Sequence, residues 1–287
     1  MCGGKRRLRV DELNRAVSKG GCSLRIMSAT IRLGTFSMFT RLFALFGEFL
    51  NAERKTLWFY DQCRWRYFGY RKRKQDRINV LFDQRHGVET ATEIQLEAVG
   101  VAFADAARGN NVYRPLTEDV FRSAMASLPI DLQDFTFVDI GSGKGKAMLL
   151  ASNLPFRRIV GVEYAQRLHT AAQQNIARYQ STEQRCNNIE SVFGDALTCT
   201  LPEGPLLVFF FNSLAIAVMR QMLERLDVLA VAAPGRAMFV VYTNIRHVKE
   251  MGDVFDGLSF IHPVRTSKKY IVLANAAAGG LLRVSNS

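Results

Sequence analysis

The sequence is poor in the residues that build metal and disulfide sites. Its 287 residues include only five cysteines and four histidines, no Cys-x-x-Cys pair occurs, and the histidines lack ligand spacing. These absences argue against a zinc site and a disulfide framework, and they favour reduced thiols. No run of about 18 apolar residues occurs either, so we expect no transmembrane helix. We therefore expect a cytoplasmic chain without a bound metal.

Acidic residues are scarce in the first quarter of the chain. Residues 1–77 hold 18 Lys or Arg against 6 Asp or Glu, which accounts for the whole net charge of +12. Residues 78–287 are balanced, so the basic isoelectric point carries no information about what they bind. The stretch Leu13–Gly47 has no acidic residue at all, which is also typical of an organellar targeting peptide.

Aromatic side chains accompany this positive charge. Phe or Leu recurs at every third or fourth position over residues 36–50, which predicts an amphipathic helix. Residues 58–74 combine both tryptophans of the chain with several Lys and Arg. Three interpretations stay open for residues 1–77: docking on the rest of the chain, contact with a membrane surface, and contact with nucleic acid. Membrane association is thus an alternative to a purely cytoplasmic location.

From residue 135 onward, short apolar runs alternate with segments of helical periodicity. This alternation is typical of βαβ units around a parallel sheet. The last two runs are joined by a short turn and predict a hairpin. We predict an α/β fold with a doubly wound, mostly parallel seven-stranded sheet and a C-terminal antiparallel hairpin, preceded by a helical basic N-terminal region. The predicted strands cover 135–140, 159–163, 189–193, 206–211, 237–243, 259–264 and 269–273.

A glycine-rich turn follows the first of these strands. Asp139-Ile-Gly141-Ser142-Gly143-Lys-Gly145 lies where a strand ends and a helix begins, and glycines there let the backbone pass beneath a ligand. A dinucleotide fingerprint would need a third glycine where Lys146 stands, and no Gly-Lys-Ser/Thr follows for a P-loop. A carboxylate such as that of Asp139 suits an ammonium group and poorly suits a pyrophosphate.

Acidic residues also follow the second and third strands. Glu163 ends the second strand, where a carboxylate can accept hydrogen bonds from ribose hydroxyls. Asp195 follows the third strand and can accept from an adenine amino group, with a simple turn residue as the alternative. Together with Asp139, these residues place one carboxylate at the end of each of three successive strands. That coincidence indicates a ligand site at this edge of the sheet.

These segments resemble class I S-adenosylmethionine-dependent methyltransferases over residues 113–243. Asp139–Lys146 and Pro155–Glu163 are similar to bacterial chains that carry D-x-G-S-G-K-G-[RK] and then P-F-x-x-I-x-G-V-E. The turn is distantly similar to that of non-SET lysine methyltransferases, in which an Asn follows the fourth strand as Asn212 does here. The loop after that strand departs from the N-P-F and N-P-P-[YF] patterns of related families.

The resemblance implies transfer of a methyl group from S-adenosylmethionine, its cofactor. It implies a protein lysine side chain as the favoured acceptor, while a small molecule or a lipid headgroup stays open. A scaffold without catalysis, which binds the cofactor or nucleic acid, is the alternative of another class. Asn212 is the candidate catalytic residue, because its amide oxygen could orient an incoming amine. The implied cofactor-binding residues are Tyr113, Glu118, Asp139, Gly141, Ser142, Gly143, Gly145, Glu163, Tyr164, Asp195, Ala196 and Asn212.

The changes in composition divide the chain into four predicted parts. A basic, aromatic-rich extension covers residues 1–77, and a helical linker or lid covers 78–111. A Rossmann-like methyltransferase domain follows at 112–275. The Ala- and Gly-rich end, 276–287, is predicted to be a flexible tail.

Overall fold

A computed structural model describes the chain at residues 65–95, 112–211, 214–243 and 248–284. The chain divides into two compact units between Tyr67 and Phe68. Only residues 65–67 of the first unit are described, so the predicted amphipathic helix at 36–50 lies outside the described residues. The observations below concern the second unit.

Helices and strands alternate through most of the described part. A helix described over residues 65–86 (α1) is followed by two short strands, β1 and β2, and then by the main sheet and its helices. None of the described helices is long and apolar enough to cross a membrane. The further elements are β1 Ile94–Gln95, β2 Val112–Tyr113, α2 Glu118–Met125, β3 Thr136–Ile140, α3 Lys146–Ser152, β4 Arg158–Glu163, α4 Gln166–Arg178, β5 Ile189–Phe193, β6 Leu206–Phe211, α5 Ile216–Ala232, β7 Met238–Thr243, α6 Val248–Asp256, β8 His262–Thr266, β9 Tyr270–Ala274 and α7 Ala276–Val284.

The main sheet has seven strands in the order β5-β4-β3-β6-β7-β9-β8. Strands β3 to β7 pair parallel with one another, and β9 pairs antiparallel with both β7 and β8. The predicted fold, a mostly parallel seven-stranded sheet with a C-terminal antiparallel hairpin, is therefore confirmed. The chain runs from β3 to β4, which pairs with one side of β3, and β6 pairs with the other side of β3. In such a sheet, ligands bind where the strand order reverses, beyond the carboxyl ends of the strands.

The central strands are buried on both faces. In β3, Phe137 contributes to one apolar cluster, and Val138 and Ile140 contribute to the cluster on the opposite face. Phe209 of β6 packs its ring 5.6 Å from that of Phe137. Successive strand side chains point to opposite faces, and both faces here are covered by helices. This explains why these strands appear in the sequence as continuous apolar runs without alternation.

Helix α1 continues past the boundary that the composition places between residues 77 and 78. It runs to residue 86 within one helix. Its Asn79 and Phe82 are buried, at 1% and 4% exposure. The last part of the basic region and the first part of the predicted linker thus form a single element packed on the domain.

The C-terminal part differs from the prediction in two places. The first strand of the hairpin begins at His262 and not at residue 259, because the backbone N–H groups of residues 259–261 donate to the carboxylate of Asp227. The predicted flexible tail is wrong for residues 276–284, which form α7. Ala278 and Leu282 of this helix are buried in the core, and this burial stabilises a helix whose interior contains the poor helix formers Gly279 and Gly280.

Candidate functional site

The glycine turn after β3 is fastened to the neighbouring strand. The backbone N–H groups of Gly141 and Ser142 both donate to the carbonyl oxygen of Val162 in β4, at 2.8 and 3.1 Å. Gly145 then donates to the carbonyl of Ser142 at 2.9 Å and begins α3 with a left-handed backbone, φ +84°. The turn is therefore a fixed surface at the carboxyl edge of the sheet.

Gly143 lies where two parts of the chain approach each other closely. Its φ of +56° is in the left-handed region, and a Cβ atom built there would lie 2.4 Å from Cε2 of Tyr113. A side chain at this position would displace the tyrosine ring, which packs directly against the turn. Glycine is required for both reasons.

Two carboxylates lie side by side at the ends of β3 and β4. Glu163 accepts hydrogen bonds from the N–H of Gly143 at 2.8 Å and from the N–H of Ala165 at 2.9 Å. Burial raises its pKa, and these backbone donors partly offset the rise. Burial, and then the nearby charge of Glu163, raise the pKa of Asp139 to about 8. No described residue donates a hydrogen bond to the Asp139 carboxylate, so a bound cation would favour its charged form.

These groups line a cleft of about 850 Å³, a volume that includes its open mouth. The structure brings eight of the twelve implied cofactor residues into this lining, namely Tyr113, Asp139, Gly141, Ser142, Gly143, Glu163, Tyr164 and Ala196.

Three more of the implied residues are described but do not line the cleft. Glu118 pairs with Arg122 one helical turn away, at 2.8 Å, and Gly145 faces α4, where its Cβ would meet Ala172. Asp195 is exposed and accepts from the N–H of Leu197 at 2.9 Å, so its carboxylate forms a local turn. Asn212 lies outside the described residues, and its role stays a prediction.

Several cleft residues were absent from the sequence-based set. Arg114, Leu168, Phe211 and Leu214 line the cleft and carry no sequence signal of their own. Gly161 in β4 does carry a sequence signal. A glycine inside a strand often marks a place where another part of the chain approaches the backbone closely. A Cβ atom at Gly161 would lie 2.3 Å from the sulfur of Met148 and 2.8 Å from Ser142 Cβ. The missing side chain at Gly161 therefore makes room for the glycine turn.

Residues 133–212 match the model of a family described as putative methyltransferases. The matched segment begins just before β3, ends just after β6, and contains the glycine turn and both buried carboxylates. It covers 80 of the 287 residues. Together with the fold, this match supports an enzyme of the methyltransferase class that uses S-adenosylmethionine. No curated protein sequence matches the chain significantly.

Solved methyltransferase structures are similar to this chain at low identity. An RNA methyltransferase from Salinibacter ruber, in complex with S-adenosyl-L-homocysteine, is 16% identical over 56% of this chain and 91% of its own, with a TM-score of 0.36. The ribosomal protein L11 methylase of Lactobacillus delbrueckii subsp. bulgaricus is 15% identical over 55% and 77%, with a TM-score of 0.39. Geranyl diphosphate C-methyltransferase from Streptomyces coelicolor is 13% identical over 54% and 76%, also at 0.39.

The groups in the cleft fit S-adenosylmethionine. Asp139 offers a buried carboxylate to a cation, and Ser142 Oγ is buried without a hydrogen-bond partner among the described residues. Both oxygens of Glu163 accept backbone N–H groups, and a carboxylate with about four lone-pair sites keeps capacity for a ligand hydroxyl. Asp139 would therefore hold the ammonium group, Glu163 the ribose, and Ser142 Oγ a further polar atom of the ligand.

The chemistry that such a site performs makes few demands on protein side chains. When bound, S-adenosylmethionine supplies an electrophilic methyl group on a sulfonium. The protein has to position the acceptor in line and exclude water, and positioning alone contributes a large part of the acceleration. In the described ranges, no group of His, Cys, Asp or Glu has the arrangement of a metal site.

Proposed function

We propose that this chain transfers the methyl group of S-adenosylmethionine to a lysine side chain of a protein. The observation that carries the methyl-transfer part is the convergence of Asp139 and Glu163, both buried, on a glycine turn at the carboxyl edge of a parallel sheet. The lysine part rests on the resemblance of the turn to non-SET lysine methyltransferases and on the electrostatics of the cleft.

An amine acceptor must reach the methyl group in its neutral form. Lysine has a reference pKa of about 10.4, so a site that methylates it near neutral pH has to disfavour the ammonium form. Burial in the cleft would do so, and so would the guanidinium of Arg114, which lines the cleft beside Tyr113. The apolar side chains of Phe211 and Leu214 in the same lining suit the methylene stem of a lysine. These features support an amine on a long apolar stem.

The acceptor-side residue that we propose is Asn212. It follows Phe211, which ends β6 and lines the cleft. An amide oxygen there would accept a hydrogen bond from the amine and direct its lone pair at the methyl group. Asn212→Ala is then expected to lower kcat while leaving the Kd for S-adenosylhomocysteine unchanged.

The experiment that tests the proposal follows the methyl group into its acceptor. Protein and methyl-labelled S-adenosylmethionine are added to a lysate of the source cells, and the label is sorted into protease-sensitive, nuclease-sensitive and solvent-extractable pools. We expect protease-sensitive label that acid hydrolysis releases as methyllysine. Label in the extractable pool would overturn the lysine acceptor in favour of a lipid or small molecule.

Two variants of the enzyme control this assay. Gly143→Asp places a side chain where Tyr113 packs and is expected to abolish labelling. Asp134→Asn changes an exposed carboxyl just before β3 and is expected to label as the wild type does. Binding of S-adenosylhomocysteine without label in any pool would favour the non-catalytic scaffold.

The basic N-terminal region is proposed to contact an anionic surface. Phe68 and Tyr70 of α1 have 51% and 60% of their surfaces exposed, close to Arg73 and Lys74. Aromatic and basic side chains together suit anionic headgroups, and they also suit single-stranded nucleic acid. Binding of the full chain to anionic vesicles and to oligonucleotides, at low and high salt, would separate the two. Replacing Arg73 and Lys74 with Gln should weaken whichever binding occurs.

A further inference from the structure

The segment from the end of α1 through β1 contacts the glycine turn, where its Glu89 carboxylate binds Lys144. We call residues 87–95 the strap. Its start is fastened by Asp83, whose carboxylate accepts from the N–H groups of Thr90 and Ala91 at 2.6 and 2.7 Å and from the Thr90 hydroxyl at 2.6 Å. Asn175 of α4 fastens it from the other side, accepting from Glu89 N–H at 2.8 Å and donating to Glu89 carbonyl oxygen at 3.0 Å. The backbone at Glu89 is therefore held from two elements.

Lys144, in the middle of the glycine turn, binds the side chain of the same strap residue. Its Nζ lies 2.7 Å from both carboxylate oxygens of Glu89. The Lys144 side chain is 2% exposed and the Glu89 side chain 55% exposed. Lys144 is not among the residues that line the cleft, so its charge serves the strap and not the ligand. A buried ammonium needs such a partner, because an unpaired buried charge is costly.

The strap in turn holds a residue of the cleft. The hydroxyl of Tyr113 donates to the carbonyl oxygen of Thr90 at 3.0 Å. The tyrosine ring packs against Gly143, and Lys144 Nζ lies 5.5 Å from the ring centroid. The contacts thus form a closed loop from the turn through Lys144, Glu89 and Thr90 to Tyr113 and back to the turn.

We propose that Lys144 is a positioning residue for the cofactor: through Glu89 it fixes the strap, and the strap holds Tyr113 in place over the glycine turn. This inference rests on the proposed binding of S-adenosylmethionine in the cleft. It assigns the lysine of the Gly-Ser-Gly-Lys-Gly motif to cofactor affinity without direct contact. It also makes residues 87–95, which lie outside the segment matched by the family model, a part of the cofactor site.

The test is a double-mutant cycle on the Kd for S-adenosylhomocysteine, measured by calorimetry on the full chain. Lys144→Met keeps the length of the side chain and removes its charge, and Tyr113→Phe removes the hydroxyl that binds Thr90. We expect each to raise Kd, Lys144→Met by about ten-fold. The double variant should bind about as weakly as Lys144→Met alone, because the two changes break one chain of contacts. A purely structural role would give effects that multiply.

Two further variants keep the test decisive. Glu89→Gln removes the same charge pair from its half-exposed side, and it replaces Lys144→Met if the latter does not fold. Lys72→Ala is the matched control, because Lys72 pairs with Glu93 on the same strap at 2.9 Å but through exposed side chains. We expect Lys72→Ala to leave Kd within about two-fold of the wild type, since exposed pairs contribute little. Amide exchange at residues 88–91 should rise in Glu89→Gln and not in Lys72→Ala.

The possible outcomes separate this inference from the function on which it rests. Binding by the wild type with an unchanged Kd in Glu89→Gln and Lys144→Met would overturn the role of Lys144 alone. Effects of Lys144→Met and Tyr113→Phe that multiply in the double variant would overturn it as well. Failure of the wild type to bind S-adenosylhomocysteine would refute the proposed function, and the inference with it.

Discussion

The carboxyl of Asp139 is expected to lower the stability of the folded chain in exchange for ligand binding. Its pKa is raised from 3.8 to about 8 by burial and by Glu163. A carboxyl whose pKa rises on folding stabilises the native state only below its unfolded pKa, and this contribution is lost as the pH rises towards the folded value. Between pH 5 and pH 8, Asp139 is therefore expected to remove about 3–4 kcal/mol from the free energy of unfolding.

Asp139→Asn removes the titration and so isolates this contribution. Urea unfolding of the variant and the wild type at pH 5 and pH 8 should show a difference in unfolding free energy that grows by about 3–4 kcal/mol in favour of the variant. Groups that do not interact with Asp139 titrate alike in both proteins, so the change in the difference belongs to position 139 and its coupling with Glu163. Asp134→Asn, at an exposed position, should track the wild type at both pH values. Parallel curves for Asp139→Asn and the wild type would refute the reasoning.

The replacement that stabilises the fold should weaken ligand binding. Asp139→Asn is expected to weaken binding of S-adenosylmethionine by about 10- to 100-fold, the range for losing a hydrogen bond to a charged group. In the wild type, a bound cation must first ionise Asp139, so affinity should improve from pH 6 to pH 8. Calorimetry at these two pH values measures both effects. A variant that is more stable and binds as tightly as the wild type would place the ligand's cation elsewhere.

Three further predictions concern packing. Gly161→Ala should push Met148 and the glycine turn and weaken S-adenosylhomocysteine binding at least about ten-fold by calorimetry, and an unchanged Kd would contradict the close approach. Asp227→Ala leaves the N–H groups of residues 259–261 without their acceptor. It should lower the free energy of unfolding in urea by about 2–5 kcal/mol without altering that Kd. Leu282→Ala should cost about 2–3 kcal/mol if α7 is packed as described, whereas a flexible tail would show no loss.

The sheet could be predicted from the sequence because its strands are buried on both faces. A strand such as Leu206–Phe211 has only apolar side chains, and no exposed face interrupts the pattern. The first strand of the hairpin begins three residues later than predicted, for a reason that no local sequence pattern contains. The amides of Phe260 and Ile261 donate to Asp227, some thirty residues earlier in the chain, and not to a neighbouring strand.

Site residues could be predicted where the ends of neighbouring strands determine their position. They could not be predicted where a nearby residue of the chain binds the side chain instead of the ligand. Asp139 and Glu163 reach the cleft because adjacent parallel strands end together. Asp195 occupies the corresponding position after the next strand, yet its carboxylate accepts from an amide two residues away. Glu118 is likewise taken by Arg122 four residues on. Such short-range pairs compete with any role in a distant ligand site.

The contact between Lys144 and Glu89 could not be predicted from the sequence, because it joins residues that are distant along the chain. The two residues are 55 positions apart, and a lysine beside a glycine turn indicates an anion in the ligand as readily as an acid in the protein. At the C-terminal end, the prediction of a flexible tail from composition missed the helix α7. Asn275 accepts from the N–H of Ala278 at 3.0 Å and donates to the carbonyl of Arg236 at 2.7 Å, which anchors a helix that its glycines disfavour.

The position of β9 has a consequence for how the chain folds during synthesis. β9 is the last strand in the described part, yet it lies between β7 and β8 and pairs with both. Until residue 274 has left the ribosome, β7 is an open sheet edge with buried-type side chains, and β8 has no strand to join. Such an edge can pair with other chains. A nascent chain stalled before β9 should therefore depend on chaperones, although the residues that line its cofactor cleft have already been synthesised.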